Sequence, residues 1–111
     1  MKVLLVTRSD DNACVDWVAR ELKRRGHRAF RLDTDTYPQG LEVATELSPR
    51  RTHRRAKGTF DLESLDALWY RRFLAGGRLS EELGDTREAC IDESRRTLYG
   101  TIAACRCFQL D

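Results

Sequence analysis

The sequence predicts an α/β fold: a small two-layer or three-layer sheet structure with a βαβ start, an edge β-hairpin and a long C-terminal helix. Three observations predict it. A short apolar run opens the chain, a stretch of helical periodicity follows, and a second strand-like run begins two residues after a glycine. Strand, helix and strand in this order form a right-handed unit, so we expect the first two strands to be parallel.

The opening unit is the clearest part of the pattern. Residues Lys2–Thr7 (KVLLVT) suit a strand buried on both faces, as in a parallel sheet. Apolar side chains then recur at helical spacing over residues 13–25, and Gly26 is placed to end that helix. Residues Arg28–Asp33 alternate apolar and polar side chains and give the second strand.

The middle of the chain has a weaker pattern. Residues 41–47 alternate as a half-exposed strand does, residues 49–53 suit a turn, and residues 54–60 suit a weaker return strand, which together predict a hairpin at one sheet edge. Residues 61–65 suggest a turn or a single helical turn. Residues 66–72 (DALWYRR) then bring a strand back into the sheet core, and a Gly-Gly loop follows.

The longest element is a helix predicted over residues 86–105. Its buried stripe repeats at steps of three and four and contains Cys90 or Ile91, Ser94, Leu98, Ile102 and Cys105. Its other side carries charged residues at spacings that allow pairing along a helix. The four cysteines of the chain are expected to act as small buried hydrophobic residues rather than as ligands or disulfides.

Length and composition exclude several classes of protein. The 111 residues suit a single domain that needs neither disulfide nor metal to fold. With 34% charged residues and no long apolar run, we expect no membrane segment and a cytoplasmic location. The net charge of +2 does not indicate a nucleic-acid binder. Three of the 20 basic residues are lysines, which leaves 17 arginines; genomic composition explains this bias, or else a need for carboxylate and phosphate binding.

Two loops could carry a site, because ligands of open α/β sheets gather at the carboxyl ends of the strands. The first, residues 7–12 (TRSDDN), lacks the glycines of a phosphate loop, and helix capping by Asp10, Asp11 or Asn12 is the simpler interpretation. The second contains Arg71 and Arg72. Adjacent strand residues point to opposite faces, so at most one of these arginines is expected in a shared crevice, as a carboxylate clamp or as a surface ion pair.

The most basic run, residues 50–57 (RRTHRRAK), has no interleaved aromatic residues and is interpreted as a solvated hairpin tip. If this run binds a ligand, an acidic peptide is the first candidate. No nucleophile–base–acid set is present, and two histidines, His27 and His53, offer little for general acid–base catalysis.

Several phrases in a fixed order carry a family resemblance. They are VLLVTRSDDN, RAFRLDTDTYP, LDALWYRRF followed by two glycines, and ESRRTLYGTIAA with CFQLD. Together they resemble the N-terminal domain of ATP-grasp ribosomal peptide maturases, the microviridin-type or graspetide macrocycle-forming ligases. The resemblance runs over nearly the whole chain, and the middle hairpin is its least distinctive part.

The resemblance implies a pre-ATP-grasp domain beside the peptide site of a larger ligase. Such enzymes use ATP and magnesium to phosphorylate an Asp or Glu side chain of a precursor peptide, which a Ser/Thr hydroxyl or Lys amine then attacks to close an ω-ester or ω-amide ring. The substrate-binding residues that the resemblance implies match three of its motifs: Arg71 and Arg72 in WYRR, Thr7, Ser9, Asp10 and Asn12 in the first loop, and Asp33 and Asp35 in DTD.

The family's ATP-binding and magnesium-binding residues lie downstream of a junction resembling CFQLD. We therefore expect residues 1–111 to form one N-terminal domain that binds no ATP or metal and is inactive alone, with the remaining ATP-grasp domains and the precursor peptide as partners. A free-standing module that recognises an acidic peptide through Arg71, Arg72 and residues 50–57 is the alternative. A flavodoxin-like small-molecule or phosphate binder fits the flavodoxin-like or Rossmann-like fold but not the glycine-poor first loop. Whether the domain forms a homodimer stays open.

Overall fold

The computed structural model describes residues 1–56 and 60–111, except for the side chain of Arg51. Within these residues the chain begins strand–helix–strand, continues through four further strands and ends with a long helix and a short strand. In chain order they are β1 (Lys2–Thr7), α1 (Ala13–Arg24), β2 (Arg28–Asp33), β3 (Val43–Ser48), β4 (Arg51–Ala56), β5 (Phe60–Asp61), β6 (Ala67–Tyr70), α2 (Arg87–Ala103) and β7 (Phe108–Leu110).

The main sheet is parallel throughout and has the strand order β2-β1-β6-β7. Strand β1 lies in its interior, where Leu4 is paired with Phe30 of β2 and with Leu68 of β6. Residues 3–7 of β1 are all buried, as expected for a parallel strand covered on both faces. The predicted parallel pairing of the first two strands is confirmed.

One face of this sheet is covered by α1. Val15 is buried against Val3 and Leu5 of β1, and Val18 and Leu22 pack beside it. The helix ends at Arg24, and Gly26 follows with a φ of +85°, which lets its amide and that of His27 bond back to the carbonyls of Lys23 and Leu22. The predicted helix and its glycine stop are confirmed to within one residue.

The other face is covered by α2 and by a second small sheet. The buried stripe of α2 consists of Leu98 and Ile102, continues to Cys105 just after the helix, and packs in one core with Leu4, Val6 and Leu68. The first part of the predicted stripe is less buried than expected, because Cys90, Ile91 and Ser94 are only half-buried. Of the four cysteines Cys105 alone is buried, and Cys14 is exposed, so the interpretation of all four as core residues was wrong.

The middle hairpin was predicted at an edge of the main sheet. It does not extend that sheet. Strands β3 and β4 pair antiparallel from Val43 with Ala56 to Ser48 with Arg51, and β5 adds a third strand beside β4 in a separate sheet. The turn is therefore shorter than predicted, and the return strand begins at Arg51. The end of that predicted strand, residues 57–59, lies outside the described residues. The predicted helical turn is present over Leu62–Ser64.

The edge position beside β6 is instead taken by β7, which the sequence pattern did not indicate. This strand pairs parallel to β6, with Ala67 opposite Phe108 and Trp69 opposite Leu110. Both Phe108 and Leu110 are exposed. In the described part of the chain, no helix has the length and apolar character needed to cross a membrane.

The role of β6 in the core gives a direct test of this architecture. Leu68 is 1% exposed in the centre of the core, whereas Leu47 on β3 is 79% exposed. Leu68→Ala should lower the free energy of unfolding by about 2–5 kcal/mol, because it removes buried methyl groups and leaves a cavity. Leu47→Ala should change it by less than about 0.5 kcal/mol. Urea denaturation of both variants measures the difference, and equal losses would contradict the described core.

Candidate functional site

The loops that follow β1, β2 and β6 meet at one edge of the sheet, because these parallel strands all end there. Thr7 is paired with Asp33 at the ends of β1 and β2, and Val6 is paired with Tyr70 at the end of β6. The loops at residues 8–12, 34–36 and 71–78 therefore adjoin one another. This carboxyl-terminal edge is where ligands bind in open α/β sheets.

Asp11 joins the first loop to the residues that follow β6. Its Oδ2 accepts hydrogen bonds from Thr7 Oγ1 at 2.6 Å and from Arg71 Nε at 2.7 Å, and Arg72 Nε lies 3.4 Å away. The expectation that Arg71 and Arg72 point to opposite faces was wrong. Strand β6 ends at Tyr70, and the amides of both arginines donate to the Val6 carbonyl, so the strand alternation no longer applies to them.

The two arginines nevertheless differ in what they offer to a ligand. The Arg71 guanidinium lies 5.5 Å from the centre of the Trp69 ring and its side chain is 28% exposed. The Arg72 side chain is 52% exposed and has the longer contact with Asp11. Arg71 thus holds the two loops together, whereas the Arg72 side chain is the more exposed to solvent.

Asp35 forms a second junction, between the loops after β1 and β2. Its carboxylate accepts the Ser9 amide at 2.9 Å and the Ser9 hydroxyl at 2.5 Å, and Arg78 Nη2 lies 3.0 Å from Oδ2. Arg78 also donates to Ser9 Oγ at 2.6 Å. The Arg78 side chain is 55% exposed, so it resembles Arg72: one side is held by an aspartate and the other faces solvent.

Buried backbone contacts fix the position of the loop after β6. The Thr34 hydroxyl, which is fully buried, donates to the Thr7 carbonyl and accepts the Leu74 amide, each at 2.9 Å. Gly76 has a φ of +78°, and a Cβ there would lie 3.0 Å from the Ile91 Cα of α2. Only glycine fits this approach without strain, so the loop that carries Arg78 rests directly on α2.

The other predicted site residues lie at the margin of this edge. Asp33 pairs with Arg31 at 2.7 Å, and Asp10 pairs with Arg8 at 2.8 Å. Asn12 is the N-cap residue of α1 but makes no side-chain capping hydrogen bond. The capping interpretation of the first loop was therefore wrong, since its aspartates bind arginines instead.

The two central aspartates are held in their charged form. Hydrogen bonds from Arg71 and then Thr7 lower the pKa of Asp11 below its usual value. Burial disfavours the charged form of Asp35, but the hydrogen bonds from Ser9 and the charge of Arg78 outweigh it, and its pKa is lowered too. Both carboxylates are occupied by these partners. In residues 1–56 and 60–111, no group of three His, Cys, Asp or Glu side chains is placed to hold a metal ion.

Part of the basic run in the hairpin is paired with neighbouring acids rather than left as a solvated tip. Arg54 Nε bonds Glu63 at 2.7 Å, Arg55 Nη2 bonds Glu46 at 2.6 Å, and His53 lies 3.2 Å from Asp61. Most of the run belongs to strand β4. Lys57 lies outside the described residues. The exposed arginines at the carboxyl-terminal edge are thus the better candidates for binding an anionic ligand.

Sequence reasoning did not select Asp11, Arg78 or Thr34 as site residues. Asp11 could have been found from strand order, because a central β1 brings its loop beside the residues that follow β6. Arg78 follows two glycines, but its position depends on the close approach of Gly76 to α2, which no local pattern reveals. Thr34 carries no sequence signal beyond its place after a strand.

Comparison with known proteins identifies the family of the chain. Residues 2–111 match the family described as the MvdD pre-ATP grasp domain. The chain belongs to this family. The resemblance to a pre-ATP-grasp domain that the sequence motifs indicate is confirmed. Comparison with curated protein sequences gives no match.

Solved structures agree with the family. The pre-ATP-grasp chain is 32% identical to macrocyclase MdnC of Microcystis aeruginosa MRC, bound with precursor peptide MdnA, with a TM-score of 0.88 over 100% of this chain and 38% of that one. It is 27% identical to a RiPP-associated ATP-grasp ligase of Chryseobacterium gregarium in complex with ADP, a leader and a core peptide, with a TM-score of 0.87 over 99% and 34%. It is 26% identical to macrocyclase MdnB of Microcystis aeruginosa MRC, with a TM-score of 0.74 over 100% of this chain and 41% of that one. The chain thus spans about two fifths or less of the length of these enzymes.

The lowered pKa values of Asp11 and Asp35 predict how stability depends on pH. A carboxyl whose pKa is lower in the folded state stabilises the fold above its unfolded pKa, and this contribution is lost as the pH falls through the folded pKa. The free energy of unfolding should therefore fall steadily below about pH 4. Glu21, whose pKa the hydrogen bonds from Arg24 and then Arg25 lower to about 2, adds to this fall.

The variant Asp35→Asn tests how much the junction at the carboxyl-terminal edge contributes to stability and to its pH dependence. It should lower stability at neutral pH by about 1–3 kcal/mol and make the acid dependence shallower. Asp85→Asn, a change at an exposed aspartate, is the matched control and should leave both unchanged. Urea denaturation between about pH 6 and about pH 3 measures both quantities. An unchanged acid dependence in Asp35→Asn would show that this junction does not exist in solution.

Proposed function

We propose that residues 1–111 form the N-terminal pre-ATP-grasp domain of a ligase that closes ω-ester or ω-amide rings in a ribosomally made precursor peptide. The domain forms part of the peptide side of the site and packs against the catalytic domains, and it is inactive alone. The family match and the similarity to a macrocyclase bound with its precursor peptide support this proposal. ATP and magnesium are assigned to the remainder of such an enzyme.

The observation that supports a peptide-binding role is a pair of partly exposed arginines at the carboxyl-terminal edge. Arg72 and Arg78 are each more than half exposed, and each is steadied by one aspartate. A guanidinium steadied in this way loses little freedom on binding, and its planar fork matches a carboxylate. The ligand that suits this edge is a peptide segment rich in Asp or Glu.

Domain packing is supported by the apolar side chains at the β7 edge. Helix α1 packs over Val3 and Leu5 of the sheet, while Phe108 and Leu110 on β7 stay exposed. Parallel sheets are normally covered on both faces. We assign this uncovered strip to contact with the remaining ATP-grasp domains.

A second candidate function is a free-standing module that binds an acidic peptide. The exposure of Arg72 and Arg78 in the chain by itself favours it. The two candidates differ in chemistry: a ligase domain acts only beside its catalytic domains, whereas a binding module completes its task alone.

Mass spectrometry of a precursor peptide incubated with this chain, ATP and magnesium should show no loss of water. Loss of one water per ring would contradict inactivity alone.

The peptide role predicts a specific arginine dependence. An N-terminally labelled acidic peptide, Glu-Glu-Ser-Glu-Glu, should bind the chain, and the double variant Arg72→Ala/Arg78→Ala should weaken binding by at least about tenfold. Binding should also weaken with added salt. Arg20→Ala, a change at an exposed arginine of α1, is the matched control and should bind as the unmodified chain does. Fluorescence anisotropy measures the dissociation constants, and equal loss in both variants would contradict the assignment.

A further inference from the structure

A shallow groove lies between the end of β6 and helix α2. Its volume is about 360 Å³, and it is lined by three aromatic and three charged side chains: Tyr70, Phe73, Asp92, Arg95, Arg96 and Tyr99. It opens at the same carboxyl-terminal edge as Arg72, because Tyr70 ends β6 and Phe73 follows the arginine pair.

The three rings form one ordered cluster. Tyr70 and Phe73 are nearly parallel with centroids 6.0 Å apart, and Tyr99 meets both of them edge-on at 6.1 Å. These are favourable distances and orientations for aromatic pairs. The three rings therefore form an aromatic floor in the groove.

Tyr99 is unusual for its place on the helix. It lies next to the buried Leu98 but outside the stripe that continues through Ile102, and 54% of it is exposed. A helix with one buried face normally carries polar side chains elsewhere. Tyrosine and arginine are, with tryptophan, the side chains enriched in the energetic centres of binding surfaces.

The charge of the groove is net positive. Arg96 pairs with Asp92 at 2.9 Å along α2, which uses the acid that lines the groove. Arg95 stands one turn before Tyr99, and no ion pair engages it within residues 1–56 and 60–111. An acidic group beside an aromatic ligand would meet this guanidinium.

We propose that this groove binds a peptide side chain, aromatic in character and adjacent to a carboxylate, with the ring on Tyr70, Phe73 and Tyr99 and the carboxylate on Arg95. The proposal deepens the proposed function and rests on it for the peptide nature of the ligand. It adds a second recognition element to Arg72 and Arg78. A single acidic peptide lying across the edge would reach both.

A nucleic acid suits the groove less well. Asp92 lines the groove, the net charge of the chain is +2, and single-stranded nucleic acids require an extended basic track along their phosphates. A short anionic peptide needs only the local match of one ring and one carboxylate.

The test compares two labelled peptides, Glu-Glu-Phe-Glu-Glu and Glu-Glu-Ser-Glu-Glu, on the 111-residue chain. The phenylalanine peptide should bind at least about tenfold more tightly. Tyr99→Ala should abolish that advantage while the serine peptide binds as before, and Arg95→Gln should weaken the phenylalanine peptide several-fold. Trp17→Ala, a change at an exposed aromatic residue of α1, is the matched control and should keep the full advantage. A single-stranded oligonucleotide serves as the competing ligand.

Each outcome separates the two proposals. Equal binding of both peptides, or an advantage that survives Tyr99→Ala, overturns the groove and leaves Arg72 and Arg78 to be judged by their own variants. Loss of the advantage in Trp17→Ala also overturns it, because the effect would then not belong to the groove. Tighter binding of the oligonucleotide than of either peptide overturns the peptide assignment. Circular dichroism confirms that each variant is folded, and Tyr99→Phe, which keeps the ring, should restore the advantage.

Discussion

Burial of β1 on both faces is the constraint on which the rest of the structure depends. Five consecutive residues, 3–7, are shielded from water, which requires a layer on each side and a strand on each edge. Helix α1 supplies one layer, α2 with the small antiparallel sheet supplies the other, and β2 and β6 flank the strand. The apolar run KVLLVT thus determines the three-layer arrangement of the domain.

The same constraint creates the charged edge. Because β1 is central, the loop that leaves it lies between the loops after β2 and β6, and its polar side chains contact both. Asp11 reaches Arg71 on one side, and Ser9 reaches Asp35 on the other. The ion pairs with Asp11 and Asp35 in turn hold the exposed side chains of Arg72 and Arg78 in defined positions. The binding surface that we propose therefore follows from strand order together with two ion pairs.

The sequence predicts the elements whose hydrophobic pattern repeats over a long segment. It misses the features that tertiary contacts determine. The βαβ start and α2 have clear patterns, and both are present. The hairpin was predicted as a hairpin, but alternation along β3 and β4 does not say which sheet they join. Strand β7 is three residues long, too short for any periodicity.

The candidate site shows the same division. Arg72 and Asp35 were selected by motif, and their surroundings required the structure. The rule that adjacent strand residues face opposite ways failed at Arg71 and Arg72 because β6 ends one residue earlier. Arg78 depends on the positive φ of Gly76 and its contact with α2, which are tertiary features.

The central claim is that an acidic peptide binds at the carboxyl-terminal edge of the parallel sheet. The most direct measurement is an NMR titration of the isotope-labelled chain with the peptide Glu-Glu-Phe-Glu-Glu. Chemical-shift changes should be confined to residues 8–12, 70–78 and 92–99, around the end of β6. Changes centred on β3 and β4 instead, or no changes at saturating peptide, would contradict it.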